Sequence, residues 1–444
     1  MSLLLIAVIV FLGMILGKFL FKNWFNHLTL YCVIFGGSLF LFELKLLPYI
    51  DLTSYAWLLM ISAFLSFLIG ILTIVSARNL YNANPISIEK SNISLKIFAD
   101  NGTTLKFTIL IFGIISMYSA IELWMIFINQ FGSIPAVLLN GEVIYRMNVS
   151  GKIKGNTPYL HLLGFVAIFL SGIYTAYKKK FTLLTFLPLL SIILREIAGA
   201  GRAGMLFALM QFILSFFLFK HLLNLDIKQR FKFSKVSALV GAVILLILFI
   251  GGSSLVKATR VSDSASTTYS AASKELRQTR GNLIISPSLY LYLSSDVGVL
   301  SKYLSSKGES TGFGQNTFMT LYNFLGKLNI VQKPHEFQKG YFIPMWTNTG
   351  TYLRELHADF GPAGVFLGPY LLGLLITWLW FKFYEKKSLF SFVFLVHLNI
   401  IVGFSFFVMA TRILYWFTSL VLILILIPVL ERVAQLVYSQ KNEI

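Results

Sequence analysis

Long apolar runs recur along this chain of 444 residues, and they restrict the folds it can adopt. The hydrocarbon core of a bilayer is about 30 Å thick, and a helix of roughly 20 apolar residues spans it. Eleven such runs lie near residues 2–17, 28–47, 56–76, 105–129, 159–177, 181–198, 203–219, 236–256, 361–381, 388–407 and 412–430. Because lipid admits backbone only as helices or closed barrels, the sequence predicts an all-α integral membrane protein with about eleven transmembrane helices.

The composition argues against a soluble chain of this length, since 57% of the residues are hydrophobic and only 12% are charged. A formal net charge of +19 would suggest a nucleic-acid partner in a soluble protein. Here much of that charge lies in lysine clusters, such as Lys178 to Lys180, which suit the cytoplasmic ends of helices beside anionic lipid. We therefore expect the lipid bilayer as a partner, and no nucleic acid.

One long hydrophilic stretch, residues 257–360, separates the eighth and ninth predicted spans. The sequence predicts one membrane domain in three parts: helices 1–8 at 1–256, a large loop containing short helices at 257–360, and helices 9–11 with a cytoplasmic tail at 361–444. Within the loop, the amphipathic stretch from Leu283 to Leu304 is predicted to lie on the membrane or to cover a cavity.

Most of the arginines fall on the outer side of the membrane in this topology, whereas the lysine clusters lie at cytoplasmic ends of helices. If the N-terminus faces outward, eight of the eleven arginines fall on the outer side, where the positive-inside rule expects few positive charges. Topology does not require arginine there, whereas the guanidinium group suits two-point contact with phosphate. The eight are Arg146, Arg195, Arg202, Arg260, Arg277, Arg280, Arg354 and Arg412.

The turn between the sixth and seventh predicted spans reads REIAGAGRAG, from Arg195 to Gly204. Its glycines would let the backbone approach a ligand closely. Arg202 is predicted at the N-terminus of the seventh helix, where free N–H groups favour an anion. Arg195 lies within an apolar run, which makes it a functional candidate. Alternatively it pairs with a carboxylate such as Glu122 or Glu43, or its side chain extends outward to the membrane surface.

The large loop ends in a second motif, NTGTYLRELHADFGPAG, from Asn348 to Gly364. A helix is predicted from Thr351 and is stopped by Gly361-Pro362, where the ninth span begins. Glu355 and Asp359 share one face of this helix, which would place them at the outer membrane surface. They are either part of a site or a solvated cap.

No metal or other cofactor is expected from the sequence. His357 and Asp359 are two candidate metal ligands, too few for a convincing site. The chain contains neither an Asp-x-Asp motif nor the phosphate-binding loop of an ATPase.

Aromatic residues with polar edges recur in the large loop and are suited to stacking on sugar rings. The alternative is that they lie at the boundary between water and lipid. They are Tyr290, Tyr292, Tyr303, Tyr322, Tyr341, Trp346 and Tyr352.

The layout of spans, the Gly201-Arg202-Ala203-Gly204 turn and the ending from Asn348 to Gly364 together resemble the O-antigen polymerases (Wzy). The resemblance is closest to the branch called oligosaccharide repeat unit polymerases. It implies a GT-C-like fold and a glycosyltransferase of the bacterial inner membrane with its active site facing the periplasm. The implied substrates are undecaprenyl-pyrophosphate-linked glycans, joined by inverting transfer to make O-antigen, capsular polysaccharide or exopolysaccharide. A chain-length regulator protein is a possible partner.

Such a reaction requires positive charge for the pyrophosphate leaving group and a base for the acceptor hydroxyl. Our catalytic candidates are Asp359 and His357, with Glu196 behind them. The pyrophosphate-binding candidates are Arg195, Arg202, Arg277, Arg280 and Arg354, and the glycan-binding candidates are Tyr352, Trp346 and Asn348. The related O-antigen ligases begin the second motif with a His-Asn pair where Asn348 or Thr351 stands here, so the identity of the base is left open.

Two other functions are compatible with the sequence. One is an O-antigen ligase-like transferase that moves glycan to another lipid or to a protein. The other is a flippase for lipid-linked oligosaccharides or another transporter. Transport would call for symmetry between halves of the chain, and the single large loop makes this sequence asymmetric.

Overall fold

The computed structural model describes residues 3–81, 95–149, 157, 159–224, 251–252, 287–306, 309–335 and 338–442. Within these ranges the chain is predominantly helical, and the one sheet described has two strands. This confirms the prediction of an all-α protein.

The helices follow one another along the chain in this order: α1 (Leu3–Phe21), α2 (His27–Tyr31), α3 (Gly37–Glu43), α4 (Ser54–Tyr81), α5 (Thr103–Phe131), α6 (Ile134–Leu139), α7 (Gly141–Val149), α8 (Leu162–Lys178), α9 (Leu183–Ala198), α10 (Ala203–Asn224), α11 (Pro287–Ser305), α12 (Met319–Lys327), α13 (Tyr352–Lys386), α14 (Leu389–Phe404) and α15 (Leu414–Asn442). A π-helical turn, Cys32–Gly36, joins α2 to α3, and 3-10 turns lie at Lys96–Phe98 and Ala410–Arg412. The strands β1 (Tyr341–Phe342) and β2 (Trp346–Thr347) pair antiparallel.

Six of the described helices are long and apolar enough to cross a membrane: Leu3–Phe21, Ser54–Asn79, Thr103–Phe131, Ala203–Leu223, Tyr352–Lys386 and Leu414–Gln440. Three shorter apolar helices, His27–Glu43, Leu162–Lys178 and Leu389–Phe404, coincide with further predicted spans. The span predicted at 236–256 lies almost wholly outside the described residues, and the total of eleven stays a prediction.

The chain divides into two compact units, each built from three segments of sequence. The first unit comprises residues 1–86, 270–383 and 397–417, and the second comprises 87–269, 384–396 and 418–444. The described part of the predicted large loop belongs to the first unit.

Glycines allow two helices of the first unit to cross in close contact. A Cβ atom at Gly70 of α4 would overlap the backbone O of Tyr370 in α13, and one at Gly373 would overlap the backbone O of Phe67. Small residues of this kind let membrane helices approach backbone to backbone. The main chains of α4 and α13 therefore pack directly against each other.

Helix α11 is buried in the first unit, where it packs against α3 and α4. Tyr290, Asp296 and Val299 are each no more than 1% exposed, although their spacing of i, i+6 and i+9 places them on different sides of the helix. The hydroxyl of Ser294 lies 2.8 Å from that of Tyr49. The described part of this stretch, residues 287–304, packs inside the protein and does not lie on the membrane, which was the first of the two predictions; that it covers a cavity stays a prediction.

The second unit is built around α5, α8, α9 and α10, with α5 packed on α8 and α9 and α8 packed on α10. Between α5 and α9, the hydroxyls of Ser116 and Ser191 lie 2.7 Å apart, and Nε1 of Trp124 donates to the backbone O of Leu194 at 3.0 Å. These hydrogen bonds fix the position of α9, which carries Arg195 and Glu196.

Helix α13 is interrupted at Gly361, as the sequence predicted. Gly361 has φ 65° and ψ −159°, a conformation that favours glycine, and Pro362 follows it. Proline is well accommodated at the start of a helix, where its missing N–H group is not needed. A short segment, residues 352–360, is thereby separated from the membrane-length helix that follows.

Candidate functional site

Residues 352–360 carry most of the second motif, and the structure gives its two carboxylates internal partners. Asp359 is 6% exposed and Glu355 is fully buried. The prediction that the helix begins close to Thr351 is confirmed, since α13 starts at Tyr352. The alternative of a solvated cap does not fit this burial.

Asp359 binds the turn that precedes α12. Its Oδ1 accepts hydrogen bonds from Oγ1 of Thr311 (2.6 Å) and from the backbone N (3.0 Å) and Nδ2 (2.9 Å) of Asn316. Its Oδ2 accepts from the backbone N (2.7 Å) and Oγ1 (2.8 Å) of Thr317. A carboxylate offers about four lone-pair sites, so five donors leave it no capacity for a substrate proton. The geometry favours a structural role, and we call this arrangement of Asp359 with Thr311, Asn316 and Thr317 the Asp359 clamp.

Arg354 is also engaged within the protein. Its guanidinium group lies 5.3 Å from the ring of Tyr303 and 5.2 Å from that of Tyr341, and the residue is 1% exposed. Nη1 donates to the backbone O of Asn348 (3.1 Å) and Nη2 to that of Lys339 (2.8 Å). This arrangement favours support of the β1–β2 hairpin over the predicted binding of pyrophosphate.

Glu355 forms a buried ion pair with Arg412, which sequence reasoning missed. Nη1 of Arg412 contacts Oε1 of Glu355, and the backbone N of Met409 donates to Oε2. Nε2 of Gln338 lies 3.3 Å from Oε1 of Glu355 and 3.3 Å from Oδ1 of Asn316. The ion pair is thus linked to the Asp359 clamp through one amide.

His357 is half-buried. Its one described hydrogen bond is made by Nδ1, which leaves Nε2 able to take part in proton transfer. Its Nδ1 lies 3.1 Å from the hydroxyl of Tyr303, and that hydroxyl donates to the backbone O of Glu309 at 3.1 Å. A hydroxyl has one proton to give. If Tyr303 gives it to Glu309, then Nδ1 of His357 is the donor to Tyr303, and Nε2 carries the free lone pair. We assign this tautomer from the hydrogen-bond network.

Tyr303 is suited to fix this tautomer because it stays a neutral hydroxyl. Burial raises the pKa of Tyr303 to about 12, while the nearby guanidinium of Arg354 acts in the opposite direction. Tyr303 therefore keeps its proton throughout the physiological range. Sequence reasoning noted its aromatic ring but not this role.

Asp296 on α11, which is 1% exposed, is an acid that sequence reasoning missed. Its Oδ1 accepts a hydrogen bond from Oγ1 of Thr349 at 2.7 Å. Burial raises the pKa of the Asp296 carboxyl well above its usual range, opposed by the Thr349 hydrogen bond and by the charge of Arg354. The sequence signal that could have identified Asp296 is its position as an acidic residue within a largely apolar stretch.

The three predicted glycan-binding residues lie in different environments. Tyr352 is 1% exposed, and its hydroxyl lies 3.0 Å from that of Tyr31, so its ring is not available for stacking on a sugar. Trp346 is 62% exposed on β2, opposite Phe342, and Asn348 is also exposed. Trp346 and Asn348 thus remain candidates for sugar contacts.

In the second unit, Arg195 lies near the end of α9, as predicted. Its Nη1 is 3.1 Å from Oγ and 3.4 Å from the backbone O of Ser119 on α5. Glu122, an alternative partner considered for this arginine, accepts hydrogen bonds from the backbone N (3.0 Å) and Oγ1 (2.6 Å) of Thr157. Arg195 therefore ties α9 to α5.

The glycines of the first motif lie against the side chain of Glu196, and the predicted close approach of a ligand to them stays a prediction. The backbone N of Gly204, in the first turn of α10, donates to Oε2 of Glu196 at 3.2 Å. A Cβ at Gly201 would lie 2.5 Å from Oε2, and one at Gly204 would lie 2.5 Å from Cδ of Glu196. A carboxylate of the protein itself thus occupies part of this helix N-terminus. Arg202 directly precedes α10, as predicted, and is partly exposed.

Arg277 and Arg280 lie outside the described residues, and their predicted role stays a prediction. Among the residues that the structure describes, no group of three or more His, Cys, Asp or Glu side chains is placed to hold a metal ion.

Comparisons with protein-family models, with curated proteins and with solved structures found no match to this chain.

Proposed function

We propose that the protein is a membrane glycosyltransferase that polymerises undecaprenyl-pyrophosphate-linked oligosaccharide repeat units at the periplasmic face of the bacterial inner membrane. The observation that carries the proposal is the orientation of His357 and its position along the chain. Its imidazole is oriented through Nδ1 by Tyr303, on a segment that ends four residues later where a membrane-length helix begins. The resemblance to the O-antigen polymerases supports the choice of substrate.

In this proposal Nε2 of His357 takes the proton of the acceptor sugar hydroxyl as its oxygen attacks the anomeric carbon of the growing glycan. The bond from that carbon to the pyrophosphate oxygen breaks, and undecaprenyl pyrophosphate leaves with the electron pair. One displacement of this kind inverts the anomeric centre. The imidazolium that forms is stabilised by the Tyr303 hydroxyl, which accepts from Nδ1–H.

The leaving pyrophosphate requires fixed positive charge. Arg354 and Arg195 donate to groups within the protein, and Arg412 pairs with Glu355. From the sequence we retain Arg202, just before α10, and Arg277 and Arg280, which lie outside the described residues, as candidates for pyrophosphate binding.

Purified protein in liposomes, supplied with lipid-linked repeat units from its source strain, is expected to produce a ladder of longer lipid-linked glycans. The ladder is expected to persist in EDTA. Transfer to a different lipid or protein acceptor would support the ligase-like alternative, and movement of repeat units without bond formation would support a flippase. Recovery of an EDTA-treated enzyme by Mg²⁺ or Mn²⁺ would contradict metal independence.

Arg202→Lys is expected to abolish most of this polymerisation while expression is retained, since an ammonium group cannot reproduce the two-point contact of a guanidinium. Arg146→Lys provides the control, because Arg146 is exposed and pairs with Glu142 on α7. Lipid-linked ladders of normal length and amount from the Arg202 variant would remove this residue from the site.

Tyr303→Phe is expected to slow single-turnover transfer about tenfold, which corresponds to about 1.4 kcal/mol for the loss of one hydrogen bond. The acidic limb of the pH–rate profile is expected to move to lower pH, because the group that stabilises the protonated imidazole is gone. Tyr384→Phe is a matched control, since its hydroxyl is also buried and donates to a backbone O, that of Leu218. A slower Tyr303 variant with an unchanged pH profile would indicate a purely structural role.

A further inference from the structure

A stripe of exposed apolar side chains runs along α12 and the turns beside it. Leu321, Phe324 and Leu328 are spaced at i, i+3 and i+7, which places them on one side of the helix. Together with three neighbours they form a surface that we call the apolar face, whose members are 50% to 78% exposed: Phe313, Phe318, Leu321, Phe324, Leu328 and Ile330. The other side of α12 is buried through Met319 and Gly326, so this short helix is apolar on both sides.

The apolar face is held in place by contacts at both ends of the segment that carries it. The Asp359 clamp fixes the turn before α12. Oγ1 of Thr320, in the first turn of α12, donates to the backbone O of Arg412 at 3.4 Å. After α12, Gly326 packs closely on Lys333, since a Cβ there would lie 2.6 Å from Cγ of the lysine. The protein thus presents this face outward on a fixed support.

The apolar face is continuous with the start of a membrane-length helix. The ring of Phe313 meets that of Phe360 edge-on, with centroids 4.9 Å apart. Phe360 directly precedes Gly361, beyond which Phe366 and Leu367 are 42% and 59% exposed on α13. The exposed apolar surface of α13 therefore continues onto the loop, at the level where the chain enters the membrane.

The charge around the apolar face also points to lipid. Residues 311–335 contain no aspartate or glutamate, whereas Lys327 and Lys333 are exposed beside the stripe. Lysines at the edge of an apolar helix face can extend to lipid phosphates while the apolar side chains enter the acyl region.

We propose that the apolar face docks on the surface of the bilayer that the protein spans, so that α12 lies at the boundary between headgroups and acyl chains. The occupant is bulk phospholipid, and the assignment is independent of the reaction proposed above. A helix in this position fixes the depth of the Asp359 clamp, and with it that of residues 352–360, relative to the membrane surface.

The test uses single cysteines labelled with an environment-sensitive fluorophore. Cys32 is the one cysteine of the chain and is buried, so the parent protein measures the background. Leu321→Cys, Phe324→Cys and Leu328→Cys are labelled and reconstituted in phosphatidylethanolamine–phosphatidylglycerol liposomes. Asn323→Cys is the matched control, because Asn323 is exposed on the same helix but away from the stripe.

We expect labels at the three stripe positions to emit at shorter wavelength than the label at 323. Lipids with a quencher high on the acyl chain should quench them strongly, and aqueous iodide should quench them weakly. The label at 323 should respond in the opposite way. Equal access of iodide to all four positions would overturn the proposal. So would protection of the stripe from both quenchers, which would mean that protein covers it, or quenching that requires added undecaprenyl lipid, which would mean that the carrier occupies it.

Discussion

Replacing His357 with glutamine is expected to slow single-turnover glycosyl transfer by about 10²–10⁴-fold, the usual effect of removing a general base. Glutamine can still form a hydrogen bond with the hydroxyl of Tyr303 but has no nitrogen able to take a proton. Binding of the lipid-linked repeat unit is expected to change little, because the base acts in the transition state. Rapid-quench measurement of lipid-linked product, with binding measured separately, gives the two quantities.

The control for this variant is His335→Gln. His335 is exposed and lies outside the cluster around His357, so its replacement is expected to leave the rate unchanged. A His357→Gln protein that folds, binds the repeat unit and turns over at the normal rate would eliminate His357 as the base.

Asp359→Asn is expected to have its main effect on folding. Asparagine keeps one acceptor oxygen and places an NH₂ group against donors that now bind a carboxylate oxygen, such as those of Thr317. Each buried donor left without an acceptor costs about 1–3 kcal/mol, so a loss of about 3–5 kcal/mol in the free energy of unfolding is expected. The thermal unfolding midpoint in detergent measures the loss, and turnover per folded molecule is expected to remain close to normal.

Asp51→Asn is the matched control, since the Asp51 side chain is fully exposed beside Lys45. Its replacement is expected to leave the midpoint unchanged. A fully stable Asp359→Asn protein with little turnover would contradict a structural role for Asp359 and would make it the candidate base again.

The sequence was a good guide to features that depend on neighbouring residues. Apolar runs predicted the long helices, because length and hydropathy are local properties. The interruption at Gly361-Pro362 was predictable because one residue permits an unusual backbone conformation and the next can begin a helix. The position of Arg202 just before α10 followed in the same way.

The partners of the charged residues could not be predicted from the sequence. Asp359 and Thr311 are 48 residues apart, and Glu355 and Arg412 are 57 residues apart, and no local pattern marks such pairs. The buried position of α11 was missed because its serines and tyrosines resemble a polar face until their partners are known. Tyr352 was misread for the same reason, since its hydroxyl meets Tyr31 inside the protein.

The contacts of Arg354 have a consequence for how this surface can diversify. Both of its described hydrogen bonds are to main-chain oxygens, those of Lys339 and Asn348, and a main-chain oxygen is the same for every amino acid. The hairpin between those two positions can therefore exchange exposed side chains such as that of Trp346, whereas Tyr341, whose ring lies 5.2 Å from the guanidinium of Arg354, belongs to its attachment. Under the proposed function, exchange of Trp346 is expected to alter sugar contacts with no compensating change around His357.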